Sequence, residues 1–244
     1  MIKIVRFIKD FLIFSPIIRL VYPFKYTFSM LVYLFELNKW VRTNSAKFKH
    51  KDAYSFKRDY NRRFFLYQGV VETFQLTEKP ITYLEFGVAA GSSFKWWLSK
   101  NSAADSRFFG FDTFEGLPED WGGFYKKGDM ISAIPEVNDS RALFLPGLFQ
   151  DTFHDFVNNN RSLLESDQLK VIHLDADIYS ATCYVLGQIY PFLKKGDIIM
   201  FDEFNVPLHE FKAFLEFTKN YYVDLKPLIA VNNYYQVSFT VEKV

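Results

Sequence analysis

The chain has a single cysteine, Cys183, among its 244 residues. One thiol can form neither an intramolecular disulfide nor a multi-cysteine metal cage, which excludes the disulfide-rich secreted class and the zinc fingers. No segment repeats at a solenoid period. Long apolar runs are missing too. In the hydrophobic N-terminal region the longest stretch without a charge is Tyr26 to Phe35, well short of the ~20 residues that a bilayer-spanning helix requires. The formal net charge is only +1, which argues against a protein built throughout to coat nucleic acid.

What is present is the balance of a folded domain: 49% hydrophobic and 23% charged residues, with 29 Phe, 15 Tyr and 4 Trp supplying aromatic area for a core. The near-neutral total hides a division. Residues 1–70 carry 14 Lys and Arg against 4 Asp and Glu, whereas residues 71–244 carry 15 against 24. A basic front segment suits an anionic surface; nucleic acid is not expected, because no RNA-binding or helix-turn-helix signature accompanies the basic run. On a helical wheel Ile4, Phe7, Ile8, Phe11 and Phe14 share one side, with Lys3, Arg6, Lys9 and Asp10 opposite. Such a helix suits three placements: flat in a lipid headgroup layer through residues 1–36, as a lid on the main domain, or against a second copy in a homo-oligomer. Pro16 and Pro23 cut the segment into short pieces, and no small-residue cleavage site follows to mark a signal peptide. The expected location is cytoplasmic, with peripheral contact at the inner face of a membrane.

From about residue 37 the text is polar and basic and reads as a linker that becomes a helix over Tyr54 to Phe74. The division expected is a basic aromatic arm over 1–53 and a catalytic domain over 54–244. After residue 80, short apolar runs alternate with longer helix-compatible segments, the pattern of a parallel sheet with crossover helices. The predicted strands are Ile81 to Phe86, Arg107 to Asp112, Arg141 to Leu145, Leu169 to Leu174 and Asp197 to Phe201. Two more, Pro227 to Val231 and Tyr235 to Val241, are joined by Asn232 and Asn233 in a hairpin. Acids just past the carboxyl ends of parallel strands face the crevice where such sheets bind ligands.

The first strand runs into Glu85-Phe86-Gly87-Val88-Ala89-Ala90-Gly91-Ser92. Its glycines allow close backbone approach and a sharp turn into a helix whose free N–H groups face a ligand. A dinucleotide loop wants Gly-x-Gly-x-x-Gly; Ala89 stands at the middle position, and no Tyr-x-x-x-Lys pair is evident, so an NAD-dependent oxidoreductase is the weaker reading. The spacing acid-x-Gly-x-x-x-Gly resembles instead the loop of class I S-adenosylmethionine-dependent methyltransferases. Asp112 ends the next strand 25 residues beyond Gly87, near the offset at which a carboxylate meets ribose hydroxyls.

Three further runs narrow the resemblance. Phe109-Gly110-Phe111-Asp112-Thr113-Phe114-Glu115-Gly116-Leu117-Pro118, Gly147-Leu148-Phe149-Gln150-Asp151-Thr152 and His173-Leu174-Asp175-Ala176-Asp177-Ile178-Tyr179 look like the macrocin O-methyltransferase family, which includes the mycinamicin and novobiocin sugar methyltransferases. The resemblance covers roughly residues 60 to 220. It implies a Rossmann-like, seven-stranded, mostly parallel α/β sheet with helices on both faces, S-adenosyl-L-methionine as methyl donor, Mg²⁺ or another divalent cation, and a sugar or glycosylated small molecule as acceptor. Carried over, Glu85, Gly87 and Gly91 line the methionine part of the cofactor, Asp112 holds the ribose, and Phe149, Gln150 and Asp151 sit beside the adenine. Asp175, Asp202 and Glu203 become the metal ligands, and Asp175 or, second, Asp177 the base. The family more often has Asp-Asp at the second acidic position, so Glu203 is a departure. His173, inside an apolar strand, reads as a core histidine; His154 and His209 are alternative bases without a motif. A non-catalytic nucleotide-binding module held at a membrane would need Gly87, Gly91 and Asp112, but not acids at two further strand ends.

Overall fold

The computed structural model describes residues 2–121 and 125–244, so the centre of the loop from Glu115 to Asp139 lies outside the described residues. The apolar runs form one sheet of β1 (His50–Lys51), β2 (Ile81–Phe86), β3 (Arg107–Asp112), β4 (Ala142–Pro146), β5 (Leu169–Leu174), β6 (Ile198–Phe201), β7 (Asp224–Val231) and β8 (Gln236–Lys243). The strand order is β1-β7-β8-β6-β5-β2-β3-β4. β8 runs antiparallel to β6 and β7, and every other pair is parallel. Three strands coincide residue for residue with the sequence expectation. The sheet has eight strands rather than seven, because β1, from the segment assigned to the arm, pairs with β7.

The helices are α1 (Ile2–Phe14), α2 (Ile18–Val21), α3 (Lys25–Asn44), α4 (Arg62–Phe74), α5 (Ser92–Lys100), α6 (Phe149–Asn159), α7 (Arg161–Glu165), α8 (Tyr179–Ile189) and α9 (Glu210–Asn220). Side chains alternate across a strand, and β2 shows the result. Tyr83 joins Tyr67, Val70 and Trp97 of α4 and α5 on one face. Leu84 and Phe86 join Phe153, Val185 and Phe214 of α6, α8 and α9 on the other. Rossmann-like is therefore the right description of the layers, with helices on both faces.

Packing begins earlier than the expected boundary at residue 53. Leu37 is buried, and the ring of Trp40 lies 4.9 Å from Phe204 and 5.5 Å from Phe214. The expected linker is the second half of α3, and the helix expected from Tyr54 starts only at Arg62. Local polarity could not reveal this, because the apolar positions of α3 are selected by partners on α9 and β8. The hairpin after β7 is as expected, with Asn232 and Asn233 at φ 52° and 59°, a region asparagine tolerates.

β2 lies at the centre, with its sequence successor β3 on one side and β5 on the other. That is the topological switch point, and a crevice opens beyond its carboxyl end.

Candidate active site

Gly87 follows β2 at φ +94°, and a Cβ there would lie 1.8 Å from the Asp175 carbonyl oxygen. The exits of β2 and β5 pass so closely that no side chain fits between them. Asp112, at the end of β3, ties the glycine loop down. Its Oδ2 accepts from the backbone N–H groups of Val88 and Ala89, both at 2.8 Å, and its Oδ1 accepts from Phe114 N–H at 2.8 Å. Beyond these exits lies a cavity of about 560 Å³, whose wall includes Gly87, Asp112, Phe149, Gln150, Asp175, Asp177, Asp202 and Glu203. Trp121 and Tyr125, also on the wall, stack with ring centroids 4.8 Å apart.

Three residues expected at the cofactor are not on that wall. Glu85 points to the α4 side of the sheet, fully covered, and accepts a hydrogen bond from the Tyr83 hydroxyl. Gly91, at φ +77°, opens α5 and packs against Pro135. Asp151 is exposed in the first turn of α6. His154 and His209 also lie off the wall.

β5 and β6 are paired neighbours, Leu174 opposite Phe201, so the acids that follow them meet. One ligand atom from each of His173, Asp175 and Asp202 lies within 4.8 Å of the others. Glu203 does not join them; it accepts from the Tyr235 hydroxyl on the other side. Arg63, from the first turn of α4, does. Its guanidinium stands 2.9 Å from Asp202 Oδ2 and 3.7 Å from Asp175 Oδ2. No motif in the basic run marks Arg63. Nor does any mark Glu210, buried at the start of α9, whose Oε2 accepts from Glu203 N–H at 2.8 Å.

Crowding of acids away from water sets the proton affinities. Burial, then the charges of Asp202 and Asp177, hold the Asp175 carboxyl well above the usual range. Burial pushes Asp177 up to about 6 and, with the charge of Asp177, Glu203 up to about 10. For His173 burial works against the imidazolium, but Asp202 and Glu85 outweigh it and raise the ring to about 9. Its Nε2 and Nδ1 lie 3.2 and 3.1 Å from the hydroxyls of Tyr67 and Tyr83. His173 is thus a core histidine with both nitrogens engaged. Burial also opposes the charge of Arg63, and Asp202 and Asp175 overcome it.

The donor set suits a hard cation. Asp202 Oδ1 is buried without a hydrogen-bond partner, and the Asp175–Asp202 pair already stabilises a guanidinium. Carboxylate oxygens are the ligands Mg²⁺ prefers. The pair fits the ion; Glu203, expected as third ligand, lies on the cavity wall with Oε1 accepting from Tyr235, outside the His173–Asp175–Asp202 group.

Residues 84–204 match the family model described as a methyltransferase domain. The chain is similar in fold to the calicheamicin methyltransferase CalS11, with 20% identity, a TM-score of 0.59, and 74% of this chain and 79% of that one covered. It is similar also to the O-methyltransferase NovP, with 20% identity, a TM-score of 0.51, and coverage of 75% and 80%. The apo form of CalS11, a TDP-rhamnose 3'-O-methyltransferase, aligns at 19% identity and a TM-score of 0.52, with coverage of 74% and 80%. No curated protein sequence matches the chain. The sheet and its helices therefore form a Rossmann-like fold of the kind seen in these methyltransferases, and residues 84–204, which carry most of the cavity wall, match the model of a methyltransferase domain.

Proposed function

We propose that the protein is an S-adenosylmethionine-dependent O-methyltransferase acting on a hydroxyl of a sugar or glycosylated small molecule, as in the macrocin O-methyltransferase family that its motifs resemble. The observation that carries this reading is the convergence on one cavity of the Gly87 loop, Asp112 and the acids of two adjacent strand ends. The sugar acceptor is supported by the similarity in fold to CalS11, a TDP-rhamnose 3'-O-methyltransferase, and by the Trp121–Tyr125 stack on the cavity wall, whose faces suit a sugar ring.

S-adenosylmethionine, when bound, supplies an electrophilic methyl group on a sulfonium. The backbone at Gly87 would let it approach, Asp112 would accept from its ribose hydroxyls, and Phe149 and Gln150 would flank the adenine. The chain's remaining task is to orient an acceptor oxygen and take its proton. Asp177, on the cavity wall, serves as base; Asp175 is engaged by Arg63 instead. Asp175 and Asp202 would hold a divalent cation, which would supply positive charge favouring loss of the hydroxyl proton.

Calorimetry tests the cofactor. The wild-type protein should bind S-adenosylmethionine and not bind NAD comparably. Asp112→Ala should weaken that binding by about 1–3 kcal/mol, the cost of leaving hydrogen-bond partners unmade. Binding of NAD with indifference to S-adenosylmethionine would overturn the reading.

A further inference from the structure

Neither the sheet nor the cavity uses residues 2–29. α1 buries no side chain, and Phe7 and Phe11 are 71% and 52% exposed. The apolar surface continues along α2 and the first half of α3 as far as Phe35. Contiguous exposed patches beyond a few hundred Å² mark interaction surfaces.

The charge pattern says what covers this one. Residues 1–36 hold five basic groups, Lys3, Arg6, Lys9, Arg19 and Lys25, against two acids, and residues 37–70 that root them add nine against two, whereas residues 71–244 have a surplus of nine acids. On α1 the polar groups gather on one side and the apolar arc takes about half the circumference, wider than the narrow seam of paired helices and suited to a half-immersed cylinder. None of the described helices is long and apolar enough to cross a membrane. An anionic surface attracts this basic end of the chain and repels the acidic remainder beyond residue 70, which orients the molecule.

The root of the arm adjoins the cavity. Tyr33 of α3 donates to Glu216 at 3.0 Å, and the same carboxylate accepts from Tyr179, whose neighbours Ile178 and Ser180 are on the cavity wall. We propose that residues 2–29 lie in the headgroup layer of an anionic bilayer and hold the cavity close to it. Resting on the methyltransferase reading above, the acceptor is then a sugar carried on a lipid.

The test uses the full chain and vesicles of phosphatidylcholine, with or without phosphatidylglycerol. The protein should sediment with the anionic vesicles at low salt and be released at high salt. Each basic residue near such a surface strengthens binding about fivefold, so Lys3→Gln, Arg6→Gln and Lys9→Gln together should weaken it by about a hundredfold. Phe7→Ser with Phe11→Ser should abolish it. These side chains are exposed, so circular dichroism and cofactor binding should not change. A protein that stays in the supernatant, variants that sediment like wild type, or a lipid-free dimer that the phenylalanine variant splits would each overturn the membrane assignment, whether or not S-adenosylmethionine binds. With methyl-labelled S-adenosylmethionine and a cell extract, label should appear in the lipid-soluble fraction. Label confined to the aqueous fraction would overturn the lipid-carried acceptor and leave methyl transfer standing.

Discussion

Asp175 and Asp202 already share one cation, the guanidinium of Arg63, and a divalent ion at the same pair has to compete with it. Two unit charges a few ångströms apart repel by about 4 kcal/mol at the effective dielectric near a protein surface. Arg63→Met keeps the stem and removes the charge, so Mn²⁺ affinity, read by electron paramagnetic resonance titration, should rise at least about tenfold. An unchanged affinity would place the ion elsewhere. Asp175→Asn should lower methyl transfer by at least about a hundredfold, the scale of a lost electrostatic contribution, while S-adenosylmethionine binding in calorimetry stays within a few-fold of wild type. Much of this was legible in the sequence, because an acid that ends an apolar run is a strand-end acid whatever surrounds it. Arg63 and Glu210 were not legible. They arrive from helices, and helical spacing does not tell a charge that points into a crevice from one that points into water. The orientation of Glu203 depends on Tyr235, 32 residues away, which no local pattern encodes.

Strands were easier to place than helices, for a physical reason. Buried parallel strands must be continuously apolar, so Ile81 to Phe86 and Leu169 to Leu174 announce themselves. α3 carries apolar residues around most of its surface, and only its later part finds partners. Trp40 is the anchor, with the rings of Phe204, Phe214 and Phe239 at 4.9, 5.5 and 5.9 Å. Trp40→Ala should cost about 3 kcal/mol, near the low end for a large aromatic because the ring is only partly buried. Denaturant unfolding reads that loss, and a cost below 1 kcal/mol would mean that α3 is merely attached to the domain. Exposed Phe28 and Phe35, on the earlier part of the same helix, make the control. Their replacement by Ser should leave the unfolding midpoint unchanged, because the domain does not cover them.

The near-neutral total charge conceals a buried acidic knot in the domain as well as a basic arm, and the knot makes stability depend on pH. Asp177 is raised from 3.8 to about 6 and Glu203 from 4.5 to about 10, so the folded protein keeps protons that the unfolded chain releases. His173, raised from 6.5 to about 9, has the same sign: its contribution is complete below 6.5 and lost as pH rises through 9. Stability of the metal-free protein should therefore fall as pH rises, first through the Asp177 window and then through those of Glu203 and His173. Asp139, lowered by its hydrogen bond with Arg141, acts oppositely and only in acid, so the maximum should lie at mildly acidic pH. Each retained proton adds a slope of at most about 1.4 kcal/mol per pH unit. Between the ordinary His173 value of 6.5 and its raised value of about 9, Glu203 and His173 contribute alongside Asp175 and Glu210, both held well above the usual carboxyl range by burial. Glu203→Gln keeps the shape and removes one of these titrations, so it should lower the slope of unfolding free energy against pH in that window, measured by denaturant unfolding in EDTA. A slope unchanged by the substitution would mean that Glu203 is ionised in the folded protein, and the buried charge would then have to be neutralised by a cation that EDTA does not remove.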